Sequence, residues 1–296
     1  MRLVSFEQAG RRGVGLCVGK TLGPDDRFVD LAADAVVEAL GFGVTDMVAL
    51  LGRGLDALRP LDPAKMPASA LLRLRDVRVL PPVPNPGKIL GAARNFHDFL
   101  RQLKLPVPAE PVWFPKLPNT LAGPADPIRI PPGVADVTYE GEVALVIGRR
   151  ASRVSREHAR EHVAGYMLLN DVTGGELLKR DGGNLFRAKN VDTFCPCGPF
   201  LVSAEEIADP HALRIRLEVD GKVLQDGSTE QMVFDMDQLL SHISQTITLE
   251  PGDIIATGTP GGTAVCHSPP AFLRGGQTVT VAVDGLGALV NPVVST

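Results

Sequence analysis

The sequence predicts a mixed β fold with minor α content, and two observations support this prediction. Residues 213–219 alternate apolar and polar side chains, and Asp220-Gly221 is a favourable two-residue turn into a further strand. Residues 143–148 and 163–169 are apolar runs of strand length, which is typical of buried strands. In the C-terminal half, only residues 235–246 form a clear amphipathic helix. Strands are therefore expected to dominate.

A proline-rich connector over residues 81–86 is stiff and marks a domain boundary. Before it, residues 12–18 predict a strand with a hairpin partner on its N-terminal side. Residues 30–58 carry apolar side chains at helical spacing, interrupted by two glycines. We therefore expect a small N-terminal α+β domain over residues 1–80 and a larger β-rich domain over residues 81–296.

Composition and charge narrow the class of protein. The chain has 296 residues, of which 44% are hydrophobic, and this is enough for a large core. Its formal net charge is -4 and no dense basic patch is present, so we expect no nucleic-acid partner. The four cysteines are scattered, which fits a reduced compartment. No secretory h-region or bilayer-spanning stretch is found, so we expect a cytoplasmic protein without a membrane partner.

The segment Tyr139-Glu140-Gly141-Glu142 leads into the apolar run over residues 143–148. In a strand, Glu140 and Glu142 point to the same face, because side chains alternate. Two unpaired carboxylates next to a buried run are costly to desolvate and repel each other. A hard cation such as Mg²⁺, Mn²⁺ or Ca²⁺ would remove both costs. A bare Glu-x-Glu is more often a solvated strand start, and both interpretations stay open at this point.

Other polar positions follow the predicted strands. Asp171 ends the run over residues 163–169 and could supply a third oxygen ligand. Residues 258–262, Gly-Thr-Pro-Gly-Gly, form a turn whose amides could hold an anion. The proline-rich stretch from residue 101 to about 133 has little regular pattern, and such a stretch is often a lid or binding loop.

Two further motifs favour structural roles. His158 and His162 match an inverted zinc motif, but the charged residues around them indicate an exposed helix rather than the wall of a cleft. Cys195-Pro196-Cys197 has neither zinc-finger nor thioredoxin spacing, and no histidine is close in sequence, so these thiols are expected to pack in the core.

Taken together and in order, the motifs resemble the fumarylacetoacetate hydrolase family, from about Lys88 to Val294. The resemblance rests on five segments, namely residues 91–100, 139–142, 170–173, 189–199 and 252–260. It implies a mixed β-sandwich roll, a homodimer and an enzyme that acts on a small 2-oxo acid or β-diketone. It also implies Mg²⁺ or Mn²⁺, with Ca²⁺ as a further option, held by the carboxylates of Glu140, Glu142 and Asp171.

The resemblance also assigns roles to single residues. Two oxygens of the substrate would bind the metal, and the metal would stabilise an enolate. Lys189 and Lys116 would neutralise substrate oxygens, with Lys189 counted as catalytic. Thr259, with Gly258 and neighbouring amides, would hold the substrate carboxylate. Arg94 and Asn95, in the segment over residues 91–100, complete the expected substrate-binding set.

This sequence departs from the family pattern in its acid/base half. Hydrolytic members carry a water-activating histidine and glutamate where this chain has Phe99 and Gln102. His97 is two residues earlier, on a different face of a helix, and could act as a shifted base. The arginine and glutamine that follow the metal aspartate in the family fall on Gly175 and Leu178.

Three functions remain open from the sequence. The first is metal-dependent cleavage of a C–C bond in an acylpyruvate-type 2-oxo acid, with His97 or a metal-bound water as base. The second needs only enolate stabilisation: an isomerase or tautomerase, a dehydratase or a decarboxylase. The third is a catalytically inactive metabolite-binding protein.

Overall fold

Strands make up most of the regular structure, and helices are few, so the predicted mixed β class with minor α content is confirmed. The structure is a computed structural model that describes residues 1–19, 23 and 25–296. Its strands are β1 (Arg2–Gln8), β2 (Arg11–Cys17), β3 (Arg27–Asp30), β4 (Leu71–Arg73), β5 (Arg78–Val79), β6 (Ile89–Ala93), β7 (Val112–Lys116), β8 (Leu121–Ala122), β9 (Ile128–Ile130), β10 (Val137–Thr138), β11 (Gly141–Ile147), β12 (Val163–Asn170), β13 (Thr173–Gly174), β14 (Cys195–Ser203), β15 (Arg214–Val219), β16 (Lys222–Ser228), β17 (Ile254–Ala256), β18 (Thr278–Val283) and β19 (Gly287–Ser295).

The α-helices are short, and 3-10 turns connect many of the elements. The helices are α1 (Asp34–Leu40), α2 (Met47–Arg53), α3 (His97–Leu103), α4 (Gly175–Arg180), α5 (Leu185–Ala188) and α6 (Met236–Ser244). The amphipathic helix predicted near residues 235–246 is α6, which begins with a capping box between Asp235 and Gln238. Within the described ranges, no helix combines the length and the apolar character needed to cross a membrane.

A twelve-stranded sheet forms the centre of the protein. Its main path runs β4-β3-β2-β1-β14-β12-β11-β17-β6-β7, with β5 paired to β1 and β8 paired to β14. The N-terminal strands join the rest through β1 and β14, where Leu3 lies opposite Leu201. The sheet is thus continuous across the expected boundary at residue 80, and the division into two domains stays a prediction.

A second sheet of five strands, in the order β16-β15-β18-β19-β9, packs on one face of the large sheet. The predicted hairpin turn at Asp220-Gly221 connects β15 to β16, with positive φ at both residues. Helices α1 and α2 cover the opposite face, because their apolar side chains share a core cluster with strands of the large sheet. The large sheet is therefore buried on both faces.

Strand β11 shows how this arrangement explains the apolar run. Val143, Leu145 and Ile147 contribute to the core under the five-stranded sheet, whereas Ala144 and Val146 contribute to the core under the helices. Because alternate side chains enter two different cores, every position must be apolar. Glu140 and Glu142 lie on the same face of the strand as Ala144. They are at the end of the sheet, where polar side chains take the place of the apolar core under the helices.

The proline-rich stretch predicted as a lid or binding loop is more ordered than expected. It contains β7, which pairs with β6 and places Lys116 opposite Ile89. Pro115 lies within β7, and a proline is tolerated there because β7 is the last strand of the sheet and its outer edge pairs with no other described strand. The prediction of an irregular loop was therefore wrong for residues 112–116.

A substitution at Gly165 can test the close approach of β12 and β14. A Cβ atom at this position would lie 2.1 Å from the carbonyl oxygen of Val202, which is a backbone atom that cannot rotate away. We expect Gly165→Ala to lower the free energy of unfolding by about 2–3 kcal/mol in urea denaturation.

Gly52→Ala is the matched control, because a Cβ at this helical position meets no atom within 4 Å. It should raise the free energy of unfolding by about 0.5–1 kcal/mol, because alanine favours helix more than glycine does. Equal stability of the two variants would contradict the described approach of the strands.

Candidate functional site

Three carboxylates meet at one end of the large sheet. Glu140 and Glu142 stand at the start of β11, and Asp171 follows the end of β12. In the antiparallel ladder Glu142 lies opposite Leu169, and the amide of Asp171 donates to the carbonyl oxygen of Glu140 at 2.9 Å. Opposite residues share a face and side chains alternate, so all three carboxylates project from the same side of the sheet.

This carboxylate triad (Glu140, Glu142 and Asp171) has the geometry of a cation site. One oxygen from each residue lies within 4.8 Å of the other two. Glu142 is only 2% exposed, and within the described residues its sole hydrogen-bond donor is the amide of Gly258, at 2.9 Å. No ammonium or guanidinium group of those residues pairs with Glu142. A buried carboxylate without a counter-charge is costly, and an oxygen-binding divalent cation would compensate it.

Two buried lysines compensate the other members of the triad. Lys116 Nζ donates to Asp171 Oδ1 at 2.6 Å and to the carbonyl oxygens of Lys189 and Phe194. Lys189 Nζ donates to Asp171 Oδ2 at 2.6 Å, to the Asp171 carbonyl oxygen and to Glu140 Oε2 at 2.9 Å. An ammonium group has three donors, so both lysines are fully hydrogen-bonded in this arrangement.

The pKa values of the triad follow from this pairing. Burial raises the pKa of Glu142 well above its usual value, and the nearby charges of Asp171 and Glu140 raise it further. Burial also raises the pKa of Glu140, although Lys189 opposes this change. Asp171 is buried too, but the ammonium groups of Lys116 and Lys189 outweigh burial and lower its pKa. Glu142 is thus the carboxylate that most needs a further positive charge.

Lys189 remains an ammonium ion in this site. Burial by itself would lower its pKa, but the carboxylates of Asp171 and Glu140 outweigh burial and raise it. The ring of Phe114 lies 5.2 Å from Lys189 Nζ and adds a cation–π contact. That ring fits over β6 because Gly91 has no side chain, and a Cβ there would lie 2.2 Å from the ring.

The loop over residues 258–262 follows β17 and contains backbone donors. Gly258 has φ +95°, and its amide donates to Glu142. A Cβ at Gly258 would lie 2.9 Å from Asn95 Cβ, so glycine is required by both conformation and space. The amides of Thr259 and Gly261 have no acceptor within the described part of the chain. Free N–H groups in one loop favour an anion.

Asn95 hydrogen-bonds to the backbone on which this loop begins. Its Nδ2 donates to the carbonyl oxygens of Thr257 and Phe234, and its Oδ1 accepts from the Phe234 amide. The side chain is buried and its amide hydrogens are used within the protein. The structure therefore places Asn95 beside the site, where it holds the loop.

Helix α3 carries the positions at which the acid/base pattern differs. His97 lies in its first turn, is partly buried and has no hydrogen-bond partner among the described residues. Phe99 packs against the larger core. Gln102 Oε1 accepts from the amide of Gly262 at 2.8 Å, so this side chain fastens α3 to the loop. Arg94 precedes α3 with φ +60° and an exposed side chain.

The motifs interpreted as structural agree with that interpretation in the structure. His158 lies in a 3-10 helix, Arg156–His162, with 68% of its side chain exposed and with Glu161 as its partner. Cys195 and Cys197 are fully buried, and burial raises the pKa of Cys195 to about 12. Neither thiol is therefore activated as a nucleophile.

A second acidic group lies on the surface. It comprises His211, Asp235 and Asp237. Asp235 already caps α6 through Gln238 and pairs with Arg156, so its negative charge is compensated. Only the carboxylate triad combines proximity, burial and an uncompensated charge within the described residues.

Sequence reasoning missed two residues of the site. Thr173 Oγ1 donates to Glu140 Oε1 at 3.0 Å. Gln225, on β16, is 1% exposed and donates to Thr259 Oγ1 at 2.8 Å. Alternation places Gln225 on the inward face of its strand. The local pattern does not predict which residue Gln225 will hydrogen-bond to, however.

Comparisons with known proteins agree with this geometry. Residues 88–294 match the family described as fumarylacetoacetate (FAA) hydrolase C-terminal. The chain is 40% identical over 245 residues to the mitochondrial oxaloacetate tautomerase fahd2 of Xenopus laevis, a match that covers 82% of this chain and 77% of that protein.

Solved structures extend the similarity over the whole chain. A fumarylacetoacetate hydrolase from Exiguobacterium antarcticum superposes with a TM-score of 0.82 at 31% identity, covering 100% of both chains. A 2-hydroxyhepta-2,4-diene-1,7-dioate isomerase from Mycobacterium marinum gives a TM-score of 0.77 at 31% identity, covering 100% of this chain and 99% of the other. The chain therefore belongs to the fumarylacetoacetate hydrolase family.

Proposed function

We propose that this protein is a divalent-metal-dependent tautomerase of small 2-oxo acids of the oxaloacetate type. One observation carries the proposal: the triad leaves the buried Glu142 without a counter-charge next to free loop amides, whereas α3 has no paired groups that could activate water. Enolate stabilisation is thus supported more strongly than hydrolysis. Similarity to an oxaloacetate tautomerase and to a dienedioate isomerase supports the same choice.

The triad would hold Mg²⁺ or Mn²⁺, and Ca²⁺ is also compatible with its oxygen donors. The fit rests on Glu142, which lacks a cationic partner within the described residues. Three carboxylates face two ammonium groups, so the fully ionised site has one excess negative charge. When bound, the cation would act as a Lewis acid toward a 2-oxo acid.

The protein's own groups would orient the substrate and stabilise charge. The free amides of Thr259 and Gly261 would hold the substrate carboxylate. The positive charges of Lys189 and Lys116, whose donors are used within the protein, would stabilise negative charge on nearby substrate oxygens electrostatically as the enolate develops. We assign proton transfer at carbon to His97, the one titratable side chain of α3 that no described group engages.

Tautomerisation is consistent with this set of residues because it consumes no water. One proton leaves the carbon next to the carbonyl group and one proton joins the carbonyl oxygen, so atoms and electrons balance without a co-reactant. Phe99 cannot carry a proton, and Gln102 is an amide bound to Gly262, so neither can activate water.

The second candidate is cleavage of a C–C bond in an acylpyruvate, with His97 as the base. It is favoured by the position of His97 in the first turn of α3 and by the similarity to a fumarylacetoacetate hydrolase. A homodimer, a cytoplasmic location and the lack of nucleic-acid or membrane partners stay predictions.

The first experiment compares the two reactions. With Mn²⁺ present, the protein should accelerate the keto–enol interconversion of oxaloacetate, followed by the ultraviolet absorbance of the enol, and should cleave acylpyruvates more slowly. His97→Gln should lower kcat by roughly 100-fold, as expected for loss of a general acid–base group. His158→Gln, on an exposed surface, is the control.

Faster cleavage of an acylpyruvate than tautomerisation of oxaloacetate would favour the hydrolase. No turnover of any 2-oxo acid, despite measurable oxalate binding, would instead indicate an inactive metabolite-binding protein.

The second experiment tests the triad by calorimetric titration with Mn²⁺. Glu142→Gln should weaken Mn²⁺ binding by more than about 100-fold, because it removes a direct ligand rather than an outer-shell partner. The metal-free variant should melt no lower than the wild type, because the substitution removes a buried charge that has no partner. Glu157→Gln, an exposed carboxylate, is the control. Unchanged Mn²⁺ stoichiometry and affinity in Glu142→Gln would refute the ligand assignment.

The third experiment separates the roles of the lysines and the triad. Lys189→Met should raise KM roughly 10- to 100-fold, because it removes a buried positive charge next to the substrate oxygens. Its Mn²⁺ affinity should be unchanged or higher, because an ammonium group no longer competes for Glu140 and Asp171. Lys65→Met, at an exposed position, is the control. Equal weakening of substrate and Mn²⁺ binding would contradict the assigned role.

A further inference from the structure

Gln225 is a buried polar residue on a strand that is otherwise largely exposed. Its side chain is 1% exposed, whereas its neighbour Asp226 is exposed. A buried carboxamide is costly unless its donors and its acceptor are satisfied. Gln225 Oε1 accepts from the amide of Gly141 at 2.9 Å, and Nε2 donates to Thr259 Oγ1 and to the Pro260 carbonyl oxygen, both at 2.8 Å.

These bonds close a ring. The Gly141 amide donates to Gln225, Gln225 donates to the Thr259 hydroxyl group, and Thr259 Oγ1 donates at 2.9 Å to the carbonyl oxygen of Gly141. The orientation of the carboxamide is fixed, because a backbone N–H faces its oxygen and a carbonyl faces its nitrogen. The ring therefore connects three segments that lie far apart in the sequence.

The ring clamps the residue between the two glutamates of the triad. Gly141 is held at both its amide and its carbonyl group, so the backbone that carries Glu140 and Glu142 cannot rotate independently of the loop. Gly258, one residue before Thr259, donates to Glu142. The cation-binding side and the anion-binding side of the site thus share one hydrogen-bond network.

The ring also limits what Thr259 can do. A hydroxyl group has one donor hydrogen, and that of Thr259 is used by the Gly141 carbonyl oxygen. The side chain consequently has no hydrogen left for a substrate carboxylate. The free amides of Thr259 and Gly261 are the groups that can donate to it.

We propose that Gln225 is a positioning residue that holds the carboxylate triad and the loop over residues 258–262 in register through the Gln225–Thr259–Gly141 ring. This inference rests on the proposed function, because it assumes that the triad binds a cation and that the loop binds a substrate carboxylate. Gln225 itself touches neither ligand and acts through Gly141 and Thr259.

The test uses the full-length protein with Gln225→Met, which keeps size and removes every hydrogen bond of the side chain. Mn²⁺ affinity without substrate should fall roughly 10- to 100-fold, as for an outer-shell partner of a metal ligand. At saturating Mn²⁺, KM for oxaloacetate should be raised while kcat recovers most of the wild-type value, because Lys189 and Lys116 remain in place. Gln245→Met is the matched control, because its carboxamide bonds Val154 and Ser241 outside the site.

A double-mutant cycle separates positioning from a general loss of stability. Thr259→Val should weaken Mn²⁺ binding to a similar extent, and Gln225→Met/Thr259→Val should be no worse than either single variant, because each opens the same ring. Thr259→Ser, which keeps the hydroxyl group, should recover most of the Mn²⁺ affinity lost in Thr259→Val. Additive losses, or no rescue by serine, would overturn the proposal. If Gln225→Met does not fold, the rescue of Thr259→Val by Thr259→Ser still tests whether the hydroxyl link of the ring supports Mn²⁺ binding.

Amide hydrogen exchange in the metal-free protein tests the positioning role of Gln225 independently of the proposed function. Gln225→Met should speed exchange at Gly141, whatever reaction the protein catalyses. A wild-type protein that binds no Mn²⁺, or that turns over no 2-oxo acid, would refute the proposed function while the exchange result stands. A wild type that is active, together with a Gln225→Met variant that has unchanged Mn²⁺ affinity and KM, would refute the positioning role alone.

Discussion

Three carboxylates held side by side in a largely buried part of the protein impose the constraint on which the rest of the site depends. Desolvation and mutual repulsion would drive them apart or protonate them, so positive charge must be placed among them. Lys116 and Lys189 are ion-paired with Asp171 and Glu140, but Glu142 forms no ion pair among the described residues and accepts only from the Gly258 amide. The charge of the site is therefore incomplete, and on this basis we propose that it binds a cation.

The large sheet makes this arrangement stable. Its strands are buried on both faces along most of their length, which fixes their register and leaves little freedom at the ends. The triad lies where the helix-facing core gives way to polar groups, so the cost of burying charge is confined to one end of β11 and β12. Around it, side chains such as Asn95 and Gln225 hydrogen-bond to the backbone. The site is therefore preorganised by the scaffold rather than by flexible side chains.

Membership of the fumarylacetoacetate hydrolase family fixes the fold and the chemical class, but the choice of reaction that we propose rests on a few positions of α3. Gln102 connects α3 to the glycine-rich loop, and Phe99 belongs to the core. Both side chains therefore stabilise the fold in this protein. Neither is available as part of a water-activating pair. The proposed tautomerase chemistry follows from this exchange, since it needs a stabilised enolate and a proton carrier but no hydrolytic water.

The sequence by itself indicated most of the long strands, because these depend on local pattern, whereas the resemblance to the family was needed to single out Glu140, Glu142 and Asp171 as a triad. Apolar runs, alternation at residues 213–219 and the short Glu-x-Glu spacing are properties of neighbouring residues, which a strand converts directly into geometry. Only the tertiary structure decided which groups surround the triad. Strand β7 was hidden by its proline, which is tolerated because a sheet edge is available. Gln225 gained its role from partners 84 and 34 residues away, and no local pattern specifies such contacts. The pairing of β1 with β14 likewise depends on packing, because the sequence does not indicate which two distant strands will hydrogen-bond to each other.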